Sequence, residues 1–205
     1  MIVIKYKKTD KASLVSHVDL SRAIMRVFRR ANVRVDYTKG FNPHPDMYFS
    51  PALSLGCHSL CEYLYFNGEA NVDQLELLNQ YAMQGVTFLQ LLKTDRVKLA
   101  ADVTSATYVV QMEGIGKMLS AIDSNFCIDK KDQQVAVFDK IKHAQAIDDN
   151  TATFTLACGN KNLRCDKVVQ SLQKIHGVDC DYKIVKTDMF IGEQSVDYFL
   201  QTKVI

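Results

Sequence analysis

Between Leu20 and Ala31 the apolar side chains fall at Leu20, Ala23, Ile24, Val27, Phe28 and Ala31, the spacing of a helix with one buried face. On either side the period changes to two. Ile2, Ile4 and Tyr6 alternate with Val3 and Lys5 before it, and Val33, Val35 and Tyr37 alternate with Arg34 and Asp36 after it. A chain that switches period in this way lays helices over a sheet, which restricts it to α+β architectures.

The rest of the chain continues the alternation. Residues 2–16 read as one strand, interrupted near Thr9-Asp10-Lys11, and Ser16 or Asp19 can cap the following helix. Lys39-Gly40 ends the extended run Val33–Thr38, and neither Pro43 nor Pro45 can extend a ladder because each lacks the donor N–H. Met47–Phe49 is extended, Pro51–Ser59 a loop, Cys61–Phe66 an apolar strand, Val72–Met83 a helix stopped by Gly85, and Val86–Val97 a strand. The order is β-α-β-β-α-β, the ferredoxin-like unit. Whether its second strand is Val33–Thr38 or Met47–Ser50 stays open.

A similar order follows. Ala106–Met112 is a strand, Ile115 to Ile122 a short helix, and Phe126–Ile128 and Gln134–Phe138 are extended pieces. Thr151–Ala157 is a strand, Asn162–His176 a helix, and Asp181–Ile191 a closing strand, with 139–150 read as a loop. The expected fold is therefore α+β, with two ferredoxin-like halves, 1–100 and 101–205, joined near 98–105 and ending in a polar tail after Gly192.

Charge is unevenly placed. The chain carries a net +2 overall, yet residues 1–60 hold ten Lys or Arg against four Asp, so the first half is basic and the remainder acidic. Such asymmetry suits an anionic partner such as RNA (tRNA or rRNA). Arg22, Arg26, Arg29 and Arg30 cluster opposite the buried stripe of the 20–31 helix, and Arg34 and Lys39 follow. No aromatic stacking motif of the RNA-recognition type appears on the expected strands, which disfavours a standard single-strand reader.

No run is long or apolar enough for a membrane span, and Met1-Ile2-Val3-Ile4-Lys5 is too short for an export signal, so a cytoplasmic location is expected. The six cysteines lack a Cys-x-x-Cys and read as reduced thiols, several of them buried. Cys57-His58-x-x-Cys61 offers three ligands where a structural metal site uses four, so no metal is assigned.

The candidate functional cluster is His17, Asp19, Arg22, Thr38, Asn42 and His44. If Val33–Thr38 is the second strand, these residues gather at one sheet edge beside the helix N-terminus, a setting suited to phosphate. If Met47–Ser50 is second, the cluster disperses. The plainer alternatives are a helix cap at Ser16–Asp19 and a turn at 42–45 that only directs the backbone.

Ser16-His17-x-Asp19-Leu20-x-Arg22, Arg29-Arg30-Ala31, Gly40-Phe41-Asn42-Pro43-His44-Pro45, Phe49-x-Pro51, and Leu55-Gly56 through Glu62-Tyr63 resemble the radical SAM-linked protein family. The resemblance is closest over residues 1–66 and extends to Lys130-Lys131, Phe138-Asp139 and Lys186-Thr187. Members occur fused to or encoded beside radical SAM proteins, often ones with a cobalamin-binding domain. The resemblance thus implies a radical SAM protein as partner, with SAM, iron–sulfur cluster and cobalamin on that partner only. This chain has neither an iron–sulfur cysteine triad nor a glycine-rich nucleotide loop. It departs from the family at Cys57 and Cys61, usually not cysteine, at His58, often acidic, and at Thr38, typically serine. Three roles are compatible with these features: a non-catalytic accessory module that binds RNA, a protein–protein adaptor, and an enzyme using His17 and His44 in acid–base or metal chemistry. The first is the leading expectation, because no nucleophile-plus-base pattern is legible.

Overall fold

The computed structural model describes residues 1–203 apart from Arg96 and Asp132. In chain order the elements are β1 (Ile2–Lys8), α1 (His17–Arg30), β2 (Arg34–Val35), β3 (Met47–Phe49), β4 (His58–Phe66), β5 (Gly68–Glu69), α2 (Gln74–Tyr81) and β6 (Val86–Lys93). They continue as α3 (Leu99–Asp102), β7 (Ser105–Met112), α4 (Ile115–Met118), β8 (Cys127–Lys130), β9 (Gln133–Ala136), β10 (Ile141–Asp148) and β11 (Thr151–Ala157). α5 (Cys165–His176), β12 (Tyr182–Ile191), β13 (Gln194–Ser195) and α6 (Val196–Gln201) complete the chain.

One mixed sheet dominates, in the order β10-β11-β7-β12-β4-β1-β6, with β3 added to β4 and β13 to β12. Within the first half the order β6-β1-β4-β3 is antiparallel throughout, as is β10-β11-β7-β12 in the second. The halves meet at the parallel pair of β12 and β4, where Val185 faces His58 and Lys186 faces Ser59.

The second strand of the first half is therefore Met47–Phe49, which pairs with Phe66, Tyr65 and Leu64. The expected strand Val33–Thr38 shrinks to Arg34–Val35, paired with Glu69 and Gly68 outside the main sheet. Alternation alone cannot separate these outcomes, because both segments are short and half-exposed.

α1 begins where Ser16 places its hydroxyl to accept the Asp19 amide at 3.1 Å, a cap that satisfies one orphan donor of the first turn. Leu20, Ile24, Val27 and Phe28 are buried on the sheet with Ile2, Ile4, Tyr6, Leu64 and Phe66. Each such side chain contributes about 1.5–3 kcal/mol by leaving water. The other face of the same strands, Val3, Cys61, Tyr63 and Tyr65, joins a second core with β7, β11, α5 and α6.

Three expectations change. β1 stops at Lys8, and Asp10–Leu14 forms a 3-10 turn closed by Ser13 donating to the Asp10 carbonyl at 2.7 Å, so 2–16 is not one strand. That turn abuts Gly85, where an added Cβ would lie 2.3 Å from the Thr9 carbonyl oxygen. Residues 141–148 are strand β10 rather than loop; as an edge strand exposed along most of its length it shows no apolar alternation. The segment after Gly192 is no polar tail: it forms β13 and α6, with Val196 and Leu200 buried. The expected strand to Val97 crosses Arg96, and the expected tail reaches Val204 and Ile205; these three positions lie outside the described residues. Among the described residues no helix is long and apolar enough to cross a membrane.

Candidate functional site

The turn between β2 and β3 is closed on itself. The Thr38 amide donates to the His44 carbonyl at 2.9 Å, the His44 amide donates to Thr38 Oγ1 at 3.2 Å, and Thr38 Oγ1 meets His44 Nδ1 at 3.0 Å. His44 Nδ1 also lies 3.4 Å from the Asn42 carbonyl. Tyr37 and Pro45 form a single bridge across its base. Gly40, at φ +141°, supplies the backbone conformation that lets the tip swing outward, and Phe41 at that tip is fully exposed.

This turn leans on the polar face of α1. Arg22, Arg26 and Arg29, with Ser21 and Met25 between them, face His44, Pro45 and Met47 across a groove of about 530 Å³. The three guanidinium groups stand one helical turn apart on one side. The only ion pair to any of them among the described residues is a 3.8 Å approach of Asp19 to Arg22, between largely exposed groups and of small energetic value. His44 Nε2 has no hydrogen-bond partner among the described residues. The groove thus presents fixed positive charge beside a rigidly held imidazole, a combination suited to phosphodiester oxygens.

The predicted residues divide. Arg22, Arg26, Arg29 and His44 line the groove, and Thr38 and the Asn42 carbonyl hold His44 in place. Arg30 is exposed outside the groove, Arg34 pairs with Glu69 at 3.6 Å, and Lys39 is an exposed turn residue. Asp19 belongs to the cap, where the Ser16 hydroxyl donates to its carboxylate at 2.7 Å.

His17 has other neighbours. Its ring meets the Phe49 ring edge-on with centroids 5.0 Å apart, and no hydrogen bond or ring contact joins it to His44 among the described residues. Partial burial holds the His17 imidazole below the ordinary histidine range; nearby Lys8 pushes the same way and Glu62 opposes both. The folded chain binds this proton less readily than the unfolded chain, so the stability His17 contributes declines as pH falls through about 6.5. An NMR titration is expected to place His17 below the ordinary histidine value of about 6.5, and Phe49→Ala to move it back up; a His17 that titrates at the ordinary value contradicts the packing against Phe49.

Sequence reasoning missed a buried ionic network next to His17. Lys186 Nζ lies 2.5 Å from Glu62 Oε1, with the two side chains only 2% and 5% exposed. Among the described residues no other polar group meets that oxygen, while Ser50 donates to Oε2 at 3.4 Å. Lys8, also buried, donates to the Val15 carbonyl at 2.9 Å. Burial alone would lower the Lys186 ammonium, but the Glu62 carboxylate outweighs it and the group is raised; Lys8 is lowered by burial. The sequence signal was slight: Lys8 breaks the Lys5, Lys7 alternation and falls on the Ile2-Ile4-Tyr6 register of β1, and Glu62 is an isolated acid in an apolar strand.

The thiols of Cys57, Cys61, Cys158 and Cys165 are buried. Burial pushes Cys57 up to about 11 and Cys61 up to about 12, so both stay protonated and poor as nucleophiles. His58 Nδ1 is engaged by the Asp10 amide at 3.3 Å. Among the described residues no three His, Cys, Asp or Glu side chains are grouped to hold a metal ion.

The family model described as "Uncharacterized protein conserved in bacteria (DUF2344)" matches residues 1–194. No curated protein matches the chain. A crystal structure provisionally described as a glycine cleavage system transcriptional repressor aligns over 90% of this chain and 96% of that chain, with 11% identity and a TM-score of 0.27. A score that low carries no argument about this fold.

Proposed function

We propose that this chain, which belongs to the family "Uncharacterized protein conserved in bacteria (DUF2344)", is a non-catalytic accessory module that binds RNA through the groove between α1 and the 38–45 turn. The observation that carries this reading is the row Arg22, Arg26 and Arg29, which faces a groove while, among the described residues, only Arg22 has an acidic neighbour, a distant one. Phe41, fully exposed at the tip of the same turn, adds a surface on which an unpaired base can stack. The dispersal of His17 and His44 removes support for a shared acid–base pair, so a catalytic reading ranks below binding.

We read residues 1–100 and 101–205 as two ferredoxin-like halves. The antiparallel orders β6-β1-β4-β3 and β10-β11-β7-β12 support this, since each places the fourth strand beside the first and the third beside the second. A cytoplasmic module that presents RNA to a radical SAM protein, which alone would carry SAM, iron–sulfur cluster and cobalamin, remains the role implied by the sequence resemblance. Co-purification of such a partner that survives nuclease treatment would mark direct docking as well.

The test is binding of a tRNA-sized RNA, followed by fluorescence anisotropy across a salt series. Affinity is expected to fall steeply with salt, each neutralised phosphate contributing about 0.7–0.9 to the logarithmic slope. Affinity that ignores salt, or no binding at micromolar protein, rules the reading out.

A further inference from the structure

A second cavity, of about 340 Å³, lies in the other half, between the β8–β9 hairpin and the start of α5. We propose that it binds an organic phosphate of mononucleotide size. Its volume falls at the small end of the range of about 300–1,000 Å³ typical of small-molecule sites.

The floor is apolar: Ile128, Val137 and Leu163 are buried there, with Val135 half-buried beside them. The rim is cationic, carrying Lys130, Lys131, Lys140 and Lys167. None of the four has an acidic partner among the described residues; Lys167 donates only to the Gln170 amide oxygen at 3.0 Å. Among the described residues the one carboxylate lining the cavity, Asp129, is already paired with Lys174 at 2.8 Å. Like charges are thus held around an apolar pit with no acidic partner among the described residues, which raises the potential for an incoming anion.

The type of cation selects the anion. Arg164, whose planar fork would suit a carboxylate, is occupied by Asp166 through bonds of 3.1 and 2.5 Å. The groups left open are lysines, mobile point charges that gather round a phosphate without demanding planarity. The apolar floor then requires a body attached to that phosphate, and the Asn162 side chain at the edge can hydrogen-bond a heterocycle. A nucleotide satisfies all three requirements, whether free or at the 5′ end of an RNA strand.

Calorimetric titration of the full chain with AMP, adenosine, inorganic phosphate and citrate tests this. AMP is expected to bind saturably, with adenosine, phosphate and citrate each about tenfold weaker or more. Lys130→Glu with Lys140→Glu, both surface changes, is expected to weaken AMP by about tenfold or more while leaving the thermal melt unchanged. Arg22→Glu with Arg26→Glu is expected to leave AMP binding intact, which separates this site from the α1 groove. Competition by a 5′-phosphorylated oligonucleotide but not by its 5′-hydroxyl form assigns the ligand to strand ends; no competition assigns it to free nucleotides. Absence of AMP binding, adenosine or phosphate as tight as AMP, or indifference to the lysine changes would overturn the proposal.

Discussion

Replacing Lys186 with methionine is expected to destabilise the fold by about 3–5 kcal/mol, the cost of leaving one member of a buried ion pair alone. Among the described residues Glu62 would keep the 3.4 Å contact from Ser50 and the influence of Lys8, at a position buried from solvent. Replacing both partners, with Glu62→Leu added to Lys186→Met, is expected to recover most of that loss, because desolvating two charges consumes much of what their attraction returns. Urea denaturation of the two single variants and the double variant closes the cycle. A single variant that loses no more than a surface exchange, about 0.5 kcal/mol, would show that the pair is not shielded as described.

The pH dependence follows from the same geometry. Lys186 is raised in the folded state, so its contribution is complete below the ordinary lysine value of about 10.4 and declines only as pH climbs through the higher folded value.

The second large effect concerns the groove. Reversing Arg22, Arg26 and Arg29 together to glutamate is expected to reduce RNA affinity by about 100-fold or more at low salt, and to flatten the logarithmic salt slope by about 2 to 3. The three side chains are exposed or line an open groove, so the melting curve is expected to stay in place. Arg34→Glu serves as the matched control for Arg26→Glu alone, since the Arg34 guanidinium already answers to Glu69 across β2 and β5. Equal losses from these two single reversals would reduce the groove to a contributor of bulk charge.

Much of this was legible before any coordinates, and the reasons are specific. The stripe Leu20–Ala31 determined both faces of α1, and hence which arginines share a side. It could not tell that Arg30, one step further round, leaves the groove, because that depends on where the 38–45 turn lands. Period-two reading found the strands with one wet face and missed β10, an edge strand of mostly small and polar residues. Lys8 is one of the ten cations that make residues 1–60 basic, yet it is buried. A lysine looks the same in sequence whether it meets water or the Val15 carbonyl. The pair Glu62 and Lys186 comes from strands far apart in sequence that meet only where β4 and β12 run side by side. The sequence motif around His17 and His44 was recognisable; their separation was decided by which short segment joined β4.

α6 ties the end of the fold to its beginning. Asp197 accepts from Lys5 at 2.5 Å and from Tyr63 at 2.8 Å, and Val196 and Leu200 join the core that contains Val3 and Tyr65. During synthesis, β1 and β4 emerge from the ribosome long before the helix that covers their second face. At about 5–20 residues per second, the 192 residues separating Lys5 from Asp197 correspond to roughly ten to forty seconds. Over that interval the nascent first half exposes apolar surface that the folded chain buries, the kind of surface through which unfinished chains aggregate.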